Sequence, residues 1–506
     1  MPALNYGVCN QCKKRVPLDH VIRDGRVFVR KDCPDCGITE ALVSTDAGMW
    51  RRKREVCHYD PDRPISCTLQ CESCARPHKP RMVFVDVTNR CNMNCPICIA
   101  NIPGMGFEFH PPFSYFEKVL GALAKMEPKP LVQLFGGEPT VRKDIFEIID
   151  LGRRLGLDLR IVTNGLKLAD EEFCKRICDA KVHVLLAFDG KDPEIYARLR
   201  KNPSAYEKKL KALENLKKYS KHKNTIMCCV ARKINDKHMR GLIDFCHENR
   251  ACIKCMHMIP LTETWEEGEF ETDIATTTED VEKIIDEAFP GERAEFLPAG
   301  ITEHMKQITR FFGGARLKFG GVHPNCESAT YLFSDGERYH PIGSFLKEPL
   351  DELAEEFVAI AQDVDPRLAR LNEKKWLDRQ RGRLSVIWNF GGLLLGALDS
   401  RSILKGNRVL AGMRILGGLI MGERLKDLLR KHTNVVDMML MVVLPFEEYH
   451  SIESARLQDC FAAFAYEDPD TGKVETLPVC IWGLYKNDIQ RRIAAKYEAV
   501  AAAEGS

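Results

Sequence analysis

Three cysteines follow one apolar run so closely that they dictate what the chain around them can be. The run Met82-Val-Phe-Val-Asp-Val87 leads directly into Cys91-Asn-Met-Asn-Cys95-Pro-Ile-Cys98. Thiolates spaced C-x3-C-x2-C on one loop can hold three irons of a [4Fe-4S] cube and leave the fourth open to a small molecule.

From Arg81 onward, strand and helix patterns alternate, as a parallel sheet with crossover helices requires. The strand candidates are residues 82–87, 131–135, 158–162, 182–188, 225–231 and 252–259. Helical stretches are expected at 115–125, 143–155, 170–180, 193–219 and 236–249. Past Thr262 the pattern becomes mostly helical, then strand-like again at 438–444, 462–466 and 474–480. The resulting expectation is an α/β chain in four parts: a metal-knuckle module at 1–50, a cysteine-rich segment at 51–80, the sheet-and-helix region at 81–262, and a helical, cysteine-bearing domain at 263–506.

The chain holds 21 cysteines, far above ordinary usage, and their spacing sorts them. Without secretion signals, paired C-x2-C spacings point to metal rather than disulfides. Cys9, Cys12, Cys33 and Cys36 form two knuckles that suit a tetrahedral S4 site, holding one zinc or one iron. Cys57, Cys67, Cys71 and Cys74 form a second set whose last three members repeat the C-x3-C-x2-C spacing. That copy follows a proline-rich loop and has Ser73 before its last cysteine, whereas the later copy follows a strand and has apolar Ile97 there. The earlier set reads as a closed auxiliary [4Fe-4S] cluster, with a second zinc knuckle as the alternative. Cys326, Cys460 and Cys480 are either ligands of a further cluster or buried small hydrophobes. Cys174, Cys178, Cys228, Cys229 and Cys246 fall on helix or strand patterns and read as core; Cys252 and Cys255, on opposite faces of the last strand candidate, read as packing, with one of them as a missing ligand the alternative.

The second strand candidate ends in Gly136-Gly137-Glu138-Pro139, the third in Thr163-Asn164-Gly165 and the fourth in Phe188-Asp189-Gly190. In this order after the cysteine loop, they resemble the radical S-adenosylmethionine (SAM) superfamily. The resemblance implies a partial (β/α)6 barrel, with the open iron of the Cys91/Cys95/Cys98 cluster binding SAM and yielding a 5'-deoxyadenosyl radical. It assigns cofactor contact to Gly136, Gly137, Glu138 and Asn164, and ribose or substrate contact to Asp189, with a helix-start cap as the plain alternative for Asp189. The order of motifs along nearly the whole chain is similar to one branch, the archaeal tetraether lipid synthases and their bacterial relatives. That branch implies a rubredoxin-like N-terminal site, one or two auxiliary clusters and sp3 carbon–carbon coupling of lipid chains. A radical methylase of a hydroxymethyl-dihydropterin is the alternative. Either activity needs a reducing electron donor such as ferredoxin or flavodoxin.

A net charge of +2 gives no reason to expect a nucleic-acid partner. The most apolar stretch, 384–398, carries Asn389 and is shorter than the ~20 residues that span a bilayer. The expectation is a cytoplasmic enzyme whose contact with a membrane, if any, is peripheral. Leu393, Leu394, Leu395, residues 415–421 and 438–444 are either accessory core or the lining of a long apolar channel. Periodicity alone does not separate the two.

Overall fold

The computed structural model describes residues 5–71, 79–263, 270, 272, 274–312, 322–399, 403–446 and 450–504. Cys74, one of the expected ligands, lies outside them.

The N-terminal module is an antiparallel meander of β1 (Tyr6–Val8), β2 (Arg15–Arg23), β3 (Arg26–Cys33) and β4 (Gly37–Ser44). Alternation along β3 buries Val27, Val29, Lys31 and Cys33 on one face, which delivers Cys33 to the side where Cys9 is also buried. The helix Ala47–Val56 follows, its first turn capped by Asp46, which accepts from the Met49 N–H at 2.9 Å.

The main sheet is built around the six expected strands: β5 (Met82–Thr88), β6 (Leu131–Gly136), β7 (Asp158–Thr163), β8 (His183–Ala187), β9 (Asn224–Val230) and β10 (Ile253–Pro260). They run parallel in sequence order. Later segments extend this sheet at both ends. At one end stand β11 (Leu297–Pro298), β12 (Ser328–Ser334) with β13 (Tyr339–Pro341), and β14 (Asp437–Val443), which lies parallel to β10. At the other end, β15 (Ala462–Glu467) runs parallel to β5, and β16 (Val474–Pro478) pairs antiparallel to β15. The segment after 262 therefore shares one sheet and one core with the six strands.

Helices cover one face of this sheet. Val83, Val85, Val132, Leu134, Ile161, Val184 and Leu186 form a continuous buried layer with helix residues such as Ile148, Ile149 and Leu216. Burying each such side chain contributes about 1.5–3 kcal/mol, which is why these strands read as nearly unbroken apolar runs. Strand alternation then turns Phe135, Arg160, Val162, Met227 and His257 to the opposite face, where they stay half-buried.

The helix expected over 193–219 is two helices, Pro193–Arg200 and Ala205–Tyr219. Lys201 adopts a left-handed φ of 49°, and Pro203 disfavours helical backbone at Asn202. The break frees Arg200 to turn back toward the strand ends. Among the described residues no helix is long and apolar enough to cross a membrane.

Candidate active site

The cysteine loop starts at the C-terminal end of β5 and is held at several points. Asn89 donates from Nδ2 to the Phe107 carbonyl at 2.6 Å and accepts from the Phe109 N–H at 2.8 Å, closing the long excursion that contains the cysteines. Lys486, from the C-terminal helix, donates to the Ala100 carbonyl at 2.7 Å. Ile97 is 5% exposed and packs with Ile195, Leu199, Ala231 and Leu261. The apolar residue before Cys98 is thus the plug that seats the loop on the ends of β9 and β10. Cys91 is exposed, while Cys95 and Cys98 are half-buried, so the three thiols face a site open on one side.

Gly136 and Gly137 are required by close approach. Gly136 has a φ of +118°, and a Cβ there would lie 2.3 Å from the Thr88 carbonyl oxygen. A Cβ on Gly137 would lie 2.3 Å from the Arg90 carbonyl oxygen. The Gly137 N–H donates to Thr88 O at 2.6 Å and the Glu138 N–H to Arg90 O at 2.9 Å. These glycines let the end of β6 zip onto the root of the cysteine loop.

Glu138, expected to meet the cofactor, is bonded to neighbouring protein groups. One oxygen accepts from the Thr140 N–H, the Thr140 hydroxyl at 2.6 Å and the Thr163 hydroxyl at 2.7 Å; the other accepts from the Asn164 N–H at 2.7 Å. It is 1% exposed and locks the ends of β6 and β7 together. Asn164 remains at the site: its Nδ2 donates to Asn92 Oδ1, inside the cysteine motif, at 2.7 Å.

Asp189 is likewise bonded to the protein. Its carboxylate forms a two-pronged pair with Arg200, both contacts at 2.9 Å, and accepts from the Cys229 N–H at 3.0 Å. It is fully buried, and the cap of the next helix is Asp192. Burial works to raise the Asp189 carboxyl, but Arg200 and then Lys209 outweigh it and hold the group below its ordinary range.

Arg200 and Lys209 went unnoticed in the sequence, where basic residues on a surface-type helix carry no signal. Burial pushes the Cys95 thiol up, with Arg200 as the largest opposing influence and Lys209 a smaller one. Thiols in this state ionise only when a cation arrives to take the charge, the behaviour of metal ligands. Cys91, Cys95 and Cys98, three thiols on one seated loop with an open side, fit a cluster held by three cysteines.

The sheet face below this loop holds further groups. Burial, and secondarily Arg160, lowers His257 to about 3, so its imidazole is neutral. Burial raises Cys255 to about 12, with Lys254 and then Arg160 opposing. At the β5 end of the face, Phe84, Phe135 and Phe464 pack together, and Trp482 stacks on Phe464 at 5.2 Å. A cavity of about 330 Å³ opens beside the end of β10, lined by Pro260, Leu261 and Thr262 together with Asn10 and Trp50 of the N-terminal region.

In the N-terminal module, the sulfurs of Cys9, Cys12, Cys33 and Cys36 lie within 4.8 Å of one another, compact enough for one tetrahedral ion. Buried Lys31 ties this knuckle inward, donating to the Val8 carbonyl at 2.8 Å and the His450 carbonyl at 2.6 Å.

The segment that holds Cys67 is tied to residues 458–459. Ser66, next to Cys67, donates its N–H to Gln458 at 2.9 Å, and Arg63 pairs with Asp459. Cys67, Cys71 and Cys480 are half-buried against the main core. Cys57 lies beside Gly300, which also meets the Val322 carbonyl, and Arg54 donates to Asn325 at 2.6 Å next to Cys326. His323 is fully buried, edge-on to Tyr59, with its Nε2 unpartnered. Cys174, Cys178, Cys228, Cys246 and Cys252 are core residues, as expected.

Residues 85–246 match the Radical SAM superfamily, and residues 2–45 match the HMPTM N-terminal zinc ribbon domain. The chain is a radical SAM superfamily enzyme: it uses SAM and a [4Fe-4S] cluster and carries a four-cysteine zinc ribbon. It is 29% identical over 379 residues to 7,8-dihydro-6-hydroxymethylpterin dimethyltransferase of Methanocaldococcus jannaschii, covering 70% of this chain and 74% of that one. It is 32% identical over 179 residues to GTP 3',8-cyclase of Nautilia profundicola, covering 34% of this chain and 54% of that one. Among solved structures, anSMEcpe with bound AdoMet and Cp18Cys peptide is similar over 63% of this chain and 98% of that one, at 18% identity and a TM-score of 0.35.

Proposed function

We propose that this enzyme alkylates an unactivated carbon of a small molecule held on the sheet face that carries Arg160 and His257, methylation of a hydroxymethylpterin-type heterocycle being the reading best supported. What carries it is the 29% identity to a hydroxymethylpterin dimethyltransferase over 70% of this chain. Cys91, Cys95 and Cys98 would hold the cluster; Gly136, Gly137 and Asn164 would bound the SAM pocket. Bound there, cluster and SAM supply a 5'-deoxyadenosyl radical for hydrogen abstraction. The chain's own part is positioning and shielding: Ile97 and Lys486 seat the loop, Glu138 and Asp189–Arg200 fix the strand ends, and the buried walls keep water from the radical. On that face, neutral His257 can donate or accept a hydrogen bond, while Arg160 offers a cation to a carbonyl or ring nitrogen. Cys57, Cys67, Cys71, Cys74, Cys326, Cys460 and Cys480 are proposed to hold one or two auxiliary clusters, and ferredoxin or flavodoxin to supply electrons.

A second reading, sp3 coupling of lipid alkyl chains, is favoured by one observation. The helices Trp376–Ala397 and Arg408–Met421 carry large exposed side chains, Val409 and Met421 among them, that would offer lipid chains an apolar surface. Anaerobic incubation with SAM, reductant and either 6-hydroxymethyl-dihydropterin or extracted lipids, read by mass spectrometry, tests both. Methylated pterin supports the first reading. Coupled chains that have lost two hydrogens overturn it for the second.

A further inference from the structure

The helices Trp376–Ala397 and Arg408–Met421 pack against one another, Gly412 lying under Leu395 and Gly391 near Leu416. The first is anchored by one side only. Val386 and Phe390 are buried with Ile308 and Phe311, Gly382 sits against the Phe311 ring, and Arg383 donates to the Phe311 carbonyl at 2.8 Å. Its other side carries Leu377, Leu384, Trp388 and Leu395, spaced seven, four and seven apart and therefore on one helical face. These side chains are 61%, 52%, 88% and 42% exposed. On the second helix Met413 and Met421 are 55% and 80% exposed. Both helices of the pair thus carry large apolar side chains that belong to no buried cluster among the described residues.

Charge says what covers it. Residues 374–431 contain thirteen Lys and Arg against four Asp and Glu, a net of +9, which leaves −7 for the rest of a chain whose total is +2. Arg381 lies at the margin of the apolar face, and exposed Arg414 lies one helical turn beyond Leu410. We infer that this helical pair docks in the plane of an anionic lipid bilayer, the apolar stripe entering the headgroup boundary and the arginines meeting phosphates. Tryptophan and leucine on one face with arginine at its edge is the composition of interfacial helices. A second copy is disfavoured, because a two-fold contact through this patch would set two segments of the same positive sign against each other. No described helix meets the length and hydropathy of a span, so attachment is to one leaflet. The inference does not depend on which substrate the active site takes.

The test uses the full-length, metal-loaded protein and vesicles of equimolar phosphatidylglycerol and phosphatidylcholine, with pure phosphatidylcholine as the comparison. The protein is expected to float with the anionic vesicles at least about tenfold more strongly than with the neutral ones, and to be released by high salt. Trp388→Ser combined with Leu384→Ser should abolish flotation while leaving circular dichroism and SAM cleavage unchanged, since both side chains are exposed. Brominated lipid should quench wild-type tryptophan fluorescence more than that of Trp388→Phe. Absence of flotation, flotation that the double variant leaves intact, or a dimer dissolved by Trp388→Ser without vesicle binding would each overturn the inference.

Discussion

Gly137→Ala isolates the step at which fold becomes chemistry. The added methyl would lie 2.3 Å from Arg90 O, 2.8 Å from Arg90 C and 2.9 Å from Asn89 C, all backbone of the cysteine loop. An ordinary contact needs at least about 3.4 Å, so the loop root must retreat by roughly 1 Å. Two backbone hydrogen bonds, Gly137 N–H to Thr88 O and Glu138 N–H to Arg90 O, stretch with it. Overpacking of this kind costs about 1–3 kcal/mol, and a 1 Å displacement of a reacting assembly costs on the order of 10²-fold in rate. The assay is anaerobic release of 5'-deoxyadenosine, normalised to cluster content from iron, sulfide and visible absorbance. Gly121→Ala is the control: it lies in a helix where an added methyl meets nothing within 4 Å, and it should be neutral or stabilising. If Gly137→Ala cleaves SAM as fast as Gly121→Ala, the glycine pair does not set the loop's position and the reasoning fails.

Other outcomes follow from the same geometry. Arg200→Met strands a buried carboxylate and should cost about 3–5 kcal/mol in denaturant unfolding; Arg200→Lys should recover only part, because one ammonium cannot span both Asp189 oxygens. Lys209 donates to the Asn164 and Ala187 carbonyls, both at 2.6 Å, and burial lowers it to about 8 from its ordinary 10.5. The unfolded chain therefore binds more protons than the folded one between those values, so this group makes stability rise with pH across that window and weighs against the fold below it. Lys209→Met should reduce that slope by about one proton, and an unchanged slope would refute the assignment. Cys12→Ser should release the ribbon's metal and open residues 5–45 to protease while the Cys91 cluster still loads; protection equal to wild type would contradict the ribbon's dependence on its ion.

Much of the sheet was legible because strands buried on both faces write themselves as apolar runs. All six central strands fall within a residue or two of their expected bounds. The cysteine loop and the glycine pair were equally legible, since metal geometry and backbone approach admit few residue types. The roles of Glu138 and Asp189 were not. A carboxylate at a strand end looks the same in sequence whether it faces a ligand or a neighbouring strand, and only the packing of Thr163 and Arg200 decides. Arg200 itself was hidden by a helix break that Pro203 imposes, and Arg160 and His257 by the two-residue alternation of strands that look uniformly apolar. The tail strands were visible at 438–444, 462–466 and 474–480, but nothing local says that they join the sheet at its two ends. The stretch at 384–421 read as core or channel because hydropathy does not report which way a helix faces.

The central claim is that Cys91, Cys95 and Cys98 seat a cluster able to cleave SAM. The most direct test is 5'-deoxyadenosine formation by anaerobically reconstituted, reduced protein, beside a variant with all three cysteines changed to alanine. Release of 5'-deoxyadenosine by the wild type and none by the variant is the expected result. A wild type that holds its iron but releases none, or a variant that releases as much, would contradict the account.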